Sequence, residues 1–331
     1  MHRLLRWAVP AMLACPMYAC AETHPGAAEF IQRAVSEYGL DAAKVTALLD
    51  GAHFQQSIVD AIVRPAEAKP WYQYRPIFLT PQRIDAGVDF WQKHRELIQG
   101  VAERYRVDPQ FIVAIIGVET FYGRITGSYK VIDALATLSF HYPAQLTRDR
   151  SAFFAGELMQ FLVLGNEEHL PLDQVTGSYA GAMGLGQFIP SSYREYAVDL
   201  DGDGSRDLWR STEDAVGSVA NYLSKHGWEY GGPVTRQAFA QPDADEKLLK
   251  SKDYRPRLTV LELHRKGYQS APDLDPERKA ALVGLEEKSG ESYWLTFQNF
   301  FVITRYNRSP LYAMAVYQLG EELRQRVEAS P

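Results

Sequence analysis

The stretch from Val113 to Arg124, VAIIGVETFYGR, sets a single carboxylate, Glu119, at the end of an apolar run. Asp108 and Pro109 just upstream form a cap-plus-proline start, so the spacing predicts a helix that begins near Pro109 and fades at Gly123. Glu119 follows Ile116, Ile115 and Ile112 by three, four and seven positions, which puts all four residues on one helical face. A charge on such a face costs several kcal/mol unless it is paired, solvated or protonated. Desolvation and the negative end of the helix dipole both push its pKa upward. Two readings follow: an ion-pair partner, with Arg124 as the local cation, or an acid tuned to hold its proton near neutral pH.

Glycoside cleavage commonly uses two carboxylates. Asp133, Glu157, Glu167 and Glu168 lie downstream, but spacing selects none of them.

Helices are expected to dominate the first two-thirds of the chain. HPGAAEFIQRAVSEYG carries helical spacing and stops at Gly39, and DAAKVTALLDGA follows with Asp41 as N-cap. The segment VRPAEAKPWYQYRPIF (63–78), with three prolines, reads as an ordered extended connection. TPQRIDAGVDFWQKHRELIQGVAERYR then reads as one long amphipathic helix capped by Thr80. From about Gly231 to Tyr293, short alternating stretches such as RLTVLEL predict a small β-containing insertion. An aromatic-rich connection follows, leading into a final amphipathic helix from about Pro310. There is no internal repeat and no low-complexity tract.

In TGSYAGAMGLGQFIPSSYREYAVDLDGDGSRDLW (176–209), the irregular glycines match neither a dinucleotide nor a phosphate loop. They bring backbone close to a helix or a ligand, with Gln187 facing a cleft. Within the same stretch DLDGDGSRD places Asp199, Asp201 and Asp203 at positions 1, 3 and 5, Gly204 at 6, Ser205 at 7 and Asp207 at 9 of a calcium-loop pattern. Arg210 stands where the usual bidentate Glu would be, so that ligand must come from further along, Glu213 or Asp214. A lone loop of this kind fits a structural staple better than a calcium switch. HExxH and GxSxG are absent, and His141 and His226 read as surface or packing residues.

The N-terminus, MHRLLRWAVPAMLACPMYACAETHPG, has Arg3 and Arg6, a short apolar run interrupted by Pro10, and Ala19-Cys20-Ala21 as a small-residue cleavage site. A signal peptide over 1–21 and an exported, periplasmic protein are expected; an uncleaved anchor is the alternative. Both cysteines, Cys15 and Cys20, lie in this leader, so a chain cleaved after Ala21 has no cysteine. Neither MLAC nor MYAC carries a strong aliphatic residue at the third position before its cysteine, which leaves an outer-membrane lipoprotein as the second reading. Without Arg3 and Arg6 the chain has 33 basic and 41 acidic residues, a net charge of −8 that does not favour nucleic acid or an anionic membrane. Nineteen tyrosines and 6 tryptophans supply faces suited to stacking on sugars as well as to core packing.

GVETFYGR, DALATLSFHYP, GSYAGAMGLGQFIPSSY, YAVDLDGDGSRDLW, GSVANYL and FVITRYNRSPLYAMAVYQLG, in this order, resemble the membrane-bound lytic transglycosylase B family of bacterial cell-wall enzymes. The similarity runs from about residue 28 to 326. It implies a mainly α (α+β) fold: a lysozyme-like helical core, an additional helical domain, a small antiparallel β domain and one EF-hand-like calcium loop. The corresponding spans are 28–100 for an N-terminal helical region, 101–230 for the core with its calcium loop at 199–214, 231–293 for the β domain, and 294–328 for a segment that completes the cleft.

The resemblance further implies cleavage of the β-1,4 bond between N-acetylmuramic acid and N-acetylglucosamine in peptidoglycan, with a 1,6-anhydro end and Glu119 as the single catalytic carboxylate. By motif position Ser178, Gln187, Met183, Tyr74, Tyr222, Tyr306, Asn307 and Tyr312 fall on substrate-binding sites. Phe153 stands where some relatives have a tyrosine. Asp199, Asp201, Asp203, the Ser205 carbonyl and Asp214, with Glu213 as the alternative to the last, form the implied calcium set. No organic cofactor is implied. A hydrolytic muramidase of the same fold and a non-catalytic glycan-binding envelope protein are the competing functions. The expected partner is the glycan strand, with a monomer as the expected state and membership of a cell-wall synthesis complex left open.

Overall fold

The computed structural model of the chain describes residues 24–329. The leader, its cleavage site and both cysteines lie outside the described residues.

The N-terminal helices are α1 (Ala27–Tyr38), α2 (Ala42–Asp50) and α3 (Gln56–Ile62). Gly39 stops α1 in the left-handed conformation at φ 66°, and Asp41 caps α2 by accepting the Lys44 N–H at 2.9 Å. The segment expected to be extended is instead a short 3-10 turn, Ala66–Ala68, followed by α4 (Trp71–Phe78). Pro70 precedes α4, where a missing N–H costs nothing; Pro76 lies inside it and removes one rung. Burial of Trp71 and Tyr74 on one face of α4 favours the helix despite that loss.

The helix expected to run on from Thr80 is two helices, α5 (Pro81–Lys93) and α6 (Arg95–Tyr105), separated at His94, whose φ of −113° and ψ of 27° lie outside the helical region. Thr80 does cap α5, through the Arg83 N–H.

Helix α7 (Pro109–Thr120) carries Glu119. Ten of its residues, Gln110 to Val118 and Thr120, are buried, so it is apolar all round, as a helix surrounded by others must be. Asp108 does not cap it. Its carboxylate accepts the Trp228 indole N–H at 2.7 Å and the Gly231 N–H at 3.1 Å, tying the helix start to a segment over a hundred residues away.

The body continues through α8 (Val131–Phe140), α9 (Ser151–Glu167), α10 (Pro190–Tyr196) and α11 (Thr212–Lys225). A two-stranded ribbon pairs β1 (Tyr129–Lys130) with β2 (Thr176–Gly177).

A five-stranded antiparallel sheet has the order β4-β6-β7-β3-β5, with β3 Thr235–Ala240, β4 Leu258–Thr259, β5 Tyr268–Ser270, β6 Lys279–Glu286 and β7 Glu291–Thr296. Strand β6 alternates as its period requires. Ala280 and Leu282 join a separate small cluster with Val260, Leu263 and Tyr268, whereas Val283 and Leu285 pack with the helical body. RLTVLEL is mostly not strand: Thr259 and Glu262 form a reciprocal capping box that starts helix α12 (Val260–Arg265). The aromatic stretch before Pro310 is also ordered, as β7 and then α13 (Gln298–Tyr306).

The last helix, α14 (Pro310–Ala329), packs on α7, α5, α13 and α4. It can lie close to α7 because residue 320 is glycine: a Cβ there would come within 2.9 Å of the Phe111 ring. Among the described residues no helix is long and apolar enough to cross a membrane.

Candidate active site

Glu119 occupies the next-to-last position of α7, with Ile112, Ile115 and Ile116 completely buried along the same helix. Directly after it the chain turns through three left-handed residues, Phe121, Tyr122 and Gly123. Two of these are not glycine, a backbone cost of about 1–3 kcal/mol each that persists only where packing enforces it.

Thr120 supplies part of that enforcement. Its buried hydroxyl donates to the Leu185 carbonyl at 2.9 Å and accepts the Gly123 N–H at 3.0 Å, pinning the helix end to the glycine-rich segment. Leu185 in turn donates its N–H to the Leu208 carbonyl at 2.8 Å, and Gly184, at φ 70°, lies where a Cβ would meet Leu208 at 2.6 Å. In the sequence, the signal for this role of Thr120 is a threonine in the last turn of a buried helix.

The phenol of Tyr312, on α14, donates to Glu119 Oε1 at 2.6 Å. Burial pushes the Glu119 carboxyl up from its ordinary 4.5 to about 7; the Tyr312 hydrogen bond opposes this, and the charge of Glu67 adds to it. Arg124 does not pair with it: the guanidinium lies over the Phe121 ring, 4.8 Å from its centre. The other carboxylates weighed from the sequence are all engaged elsewhere. Asp133 accepts from the His53 N–H and the Gln55 amide, Glu157 from the Ser191 N–H and hydroxyl, Glu167 pairs with Arg194, and Glu168 with Arg206.

Tyrosines close the site. Tyr74, Tyr306 and Tyr312 all feel the charge of Glu119, and burial, more than that charge, pushes their hydroxyls well above the usual range, so they remain protonated donors. Tyr306 donates to the Gly186 carbonyl. Tyr222 packs edge-on against Tyr306 with ring centres 4.7 Å apart and donates to the Arg305 carbonyl at 2.6 Å, so it supports Tyr306 from behind. His226 stacks on Tyr222 at 4.1 Å, a packing histidine as its sequence context suggested.

Ser178 Oγ accepts the N–H groups of Ala180 and Ala182 at 3.2 and 3.0 Å, which leaves its proton to donate. The Gln187 side-chain nitrogen donates to the carbonyls of Thr126 and Gly184, at 3.1 and 2.9 Å, which leaves its oxygen to accept. Met183 is completely buried beneath this segment, where its N–H donates to the Phe188 carbonyl, and it presents no surface to a ligand.

A cleft of about 840 Å³ opens beside Tyr306 and Asn307. Tyr142, Phe153, Phe154 and Tyr179 line it, together with Arg148, Arg150, Arg305 and Arg308. Phe153 lies under the Arg150 guanidinium at 4.7 Å.

At the acidic loop the carboxylates of Asp199, Asp201 and Asp214 converge, with oxygens within 4.8 Å of one another. Gly202 and Gly204, at φ 77° and 93°, allow the tight turns. Asp214 is fully buried, whereas Glu213 is exposed. Asp203 Oδ1 accepts the Ser205 N–H at 2.8 Å, and Asp207 caps the turn at Trp209 and Arg210 and so stands outside the cluster. Three acidic groups this close, with hard oxygen donors, fit a divalent cation such as calcium.

A half-buried acid at the tip of a central helix, near a cleft lined by aromatic and arginine side chains in a mainly helical body, is an arrangement suited to an enzyme that cuts glycan chains. The sequence model of the family described as Transglycosylase SLT domain matches residues 22–321. The membrane-bound lytic murein transglycosylase B of Escherichia coli is 39% identical over 308 residues, which cover 90% of this chain and 82% of that protein. Lytic transglycosylase SltB1 from Pseudomonas aeruginosa is 45% identical and superposes with a TM-score of 0.84 over 92% of this chain and 98% of that one. The Escherichia coli lytic transglycosylase Slt35, solved in complex with calcium, is 37% identical, with a TM-score of 0.82 over 93% and 95% of the two chains. The chain belongs to the transglycosylase SLT family.

Proposed function

We propose that Glu119 is the single acid and base with which this lytic transglycosylase cuts peptidoglycan, at the β-1,4 bond between N-acetylmuramic acid and N-acetylglucosamine. The observation that carries this reading is the state of Glu119: half-buried among apolar neighbours, held by one phenol, and with its pKa pushed up to about 7. Such an acid keeps its proton near neutral pH and gives it up readily.

In the first half of the reaction Glu119 gives its proton to the bridging oxygen as the bond from that oxygen to the anomeric carbon breaks. The N-acetylglucosamine side leaves with a free hydroxyl. In the second half the C6 hydroxyl of the muramoyl unit bonds to the anomeric carbon and its proton passes to Glu119, which restores the acid and leaves a 1,6-anhydro end. No water is consumed, so no second carboxylate is needed to activate one.

The donor hydroxyl of Ser178 and the acceptor oxygen of Gln187 suit the carbonyl and N–H of an N-acetyl group, and Tyr74, Tyr306, Asn307 and Tyr312 border the sugar. Asp199, Asp201, Asp203, the Ser205 carbonyl and Asp214 would hold calcium, whose contribution is to neutralise the acidic loop and stiffen it. The leader-like N-terminal sequence supports a periplasmic location, where peptidoglycan lies.

Digestion of purified sacculi by the wild type and by Glu119→Gln, read by mass, tests the reading. Muropeptides lighter by one water, absent with the variant, are expected. Reducing muramic acid ends would make the enzyme a hydrolytic muramidase, and unchanged release by the variant would remove Glu119 from the chemistry.

A further inference from the structure

One carboxylate in the cleft has no task in the mechanism. Glu67 sits on the 3-10 turn Ala66–Ala68, between Pro65 and Pro70, whose fixed φ angles hold that turn in place. It is exposed and lines the cleft together with Tyr179, Tyr306 and Asn307.

Four arginines line the same space, yet Glu67 takes part in none of the ion pairs of the described residues. The other carboxylate on this wall, Asp149, is occupied by the Ser151 N–H at 2.8 Å. Among the described residues the one polar contact of Glu67 is a long one, 3.4 Å from the Asn307 amide nitrogen, and it joins segments 240 residues apart in sequence at the lining of the cleft. The Asn307 side-chain oxygen is meanwhile held by the Ser309 N–H at 3.1 Å. An exposed carboxylate with almost all of its acceptor capacity free, beside an amide whose donor is barely engaged, forms an adjacent acceptor–donor pair on the lining of the cleft.

We propose that Glu67 is a substrate-contacting residue that accepts hydrogen bonds from sugar hydroxyls of the glycan strand, beside the Asn307 amide. The proposal rests on the reading of this cleft as the glycan channel. Its charge also reaches the acid: burial is the main cause that raises the pKa of Glu119, Tyr74 and Tyr179, and the charge of Glu67 adds to it. The other titratable groups that act on the Glu119 proton or feel its charge are the phenols of Tyr312 on α14, Tyr306 on α13 and Tyr74 on α4.

The test measures kcat/KM of the wild type, Glu67→Ala and Glu67→Gln on intact sacculi and on glycan strands stripped of peptide. It also measures the affinity of peptide-free strands for Glu119→Gln with and without Glu67→Ala. Loss of a charge-assisted hydrogen bond corresponds to about a tenfold fall in kcat/KM for the alanine variant on both substrates, with glutamine recovering part of it. About tenfold weaker binding is expected in the Glu119→Gln background, at an unchanged melting temperature.

Activity of Glu67→Ala within twofold of wild type on peptide-free strands overturns the proposal. So does a loss seen only on sacculi, which would assign Glu67 to an ammonium group of the peptide, or a loss that tracks a fall in melting temperature. The binding measurement needs no catalysis, so a failure of the Glu119 mechanism and a failure of the Glu67 contact give different results.

Discussion

Replacing Glu119 by glutamine should stabilise the protein, and only above a defined pH. In the folded chain its carboxyl is pushed up to about 7 from its ordinary 4.5, chiefly because burial disfavours the charged form. Between these two values the folded state holds a proton that the unfolded state has released. Folding stability therefore falls as pH rises through this window and levels off above it. The interval corresponds to about 3 kcal/mol at 1.36 kcal/mol per pKa unit, and because solvent reaches part of the side chain the realistic range is about 1–3 kcal/mol.

Glutamine has the shape of protonated glutamate, is neutral at every pH, and keeps an oxygen to accept the Tyr312 hydroxyl. At pH 4.5 the two proteins should melt together; at pH 8 the variant should melt roughly 2–6 °C higher, at about 2 °C per kcal/mol, the low end of the range for domains slightly smaller than this one. Thermal denaturation by circular dichroism from pH 4 to 9 measures this directly. Other groups titrate alike in both proteins and cancel in the difference. Melting curves that stay parallel across the pH range, or a variant less stable at pH 8, would refute the assignment of a costly buried charge to this position. The expected sign also separates function from stability: a group kept despite destabilising the fold at neutral pH is kept for another reason.

Tyr312→Phe removes the one hydrogen bond that lowers the Glu119 pKa, so the alkaline limb of the pH–kcat/KM profile should move up by about one unit while the rate at the optimum falls; a limb that stays in place or moves down contradicts this. A chelator should lower the melting temperature and calcium restore it, because Asp199, Asp201 and Asp214 repel one another without a cation; an unchanged melting curve removes the metal from the account. Asp214→Asn should cost more stability than Glu213→Gln, since only Asp214 is buried against the loop and accepts the Leu200 and Asp207 N–H groups; equal effects in matched thermal melts would leave the final ligand unassigned.

What could be read from the sequence was whatever a few neighbouring residues determine. Helical spacing around Glu119 and the alternating aspartates of the acidic loop are local patterns, and both correspond to structure on the page. The failures have physical causes of two kinds. Where local signals competed, the weaker-looking one prevailed: Pro76 and two flanking prolines suggested an extended connection, but burial of Trp71 and Tyr74 made α4, and the strand-like RLTVLEL yielded to a capping box at Thr259. Asp108 looked like a cap and instead binds Trp228, a choice that only the tertiary fold could make.

The second kind concerns the site itself, which is assembled from distant segments. Tyr312 reaches Glu119 across 193 positions, Thr120 reaches Leu185 across 65, and Glu67 faces Asn307 across 240. No spacing rule spans such separations, so Tyr312 was placed by resemblance to a family, and Glu67, an ordinary charged residue in a proline-rich stretch, was not placed at all. These long-range contacts also connect the two features that were legible. The acidic loop leads into Leu208, whose carbonyl holds Leu185, whose carbonyl holds Thr120, the neighbour of Glu119. The order of the cation loop and the aim of the acid are thus linked through two backbone hydrogen-bonding residues, which gives a lone calcium loop far along the sequence a physical reason to accompany a lone glutamate.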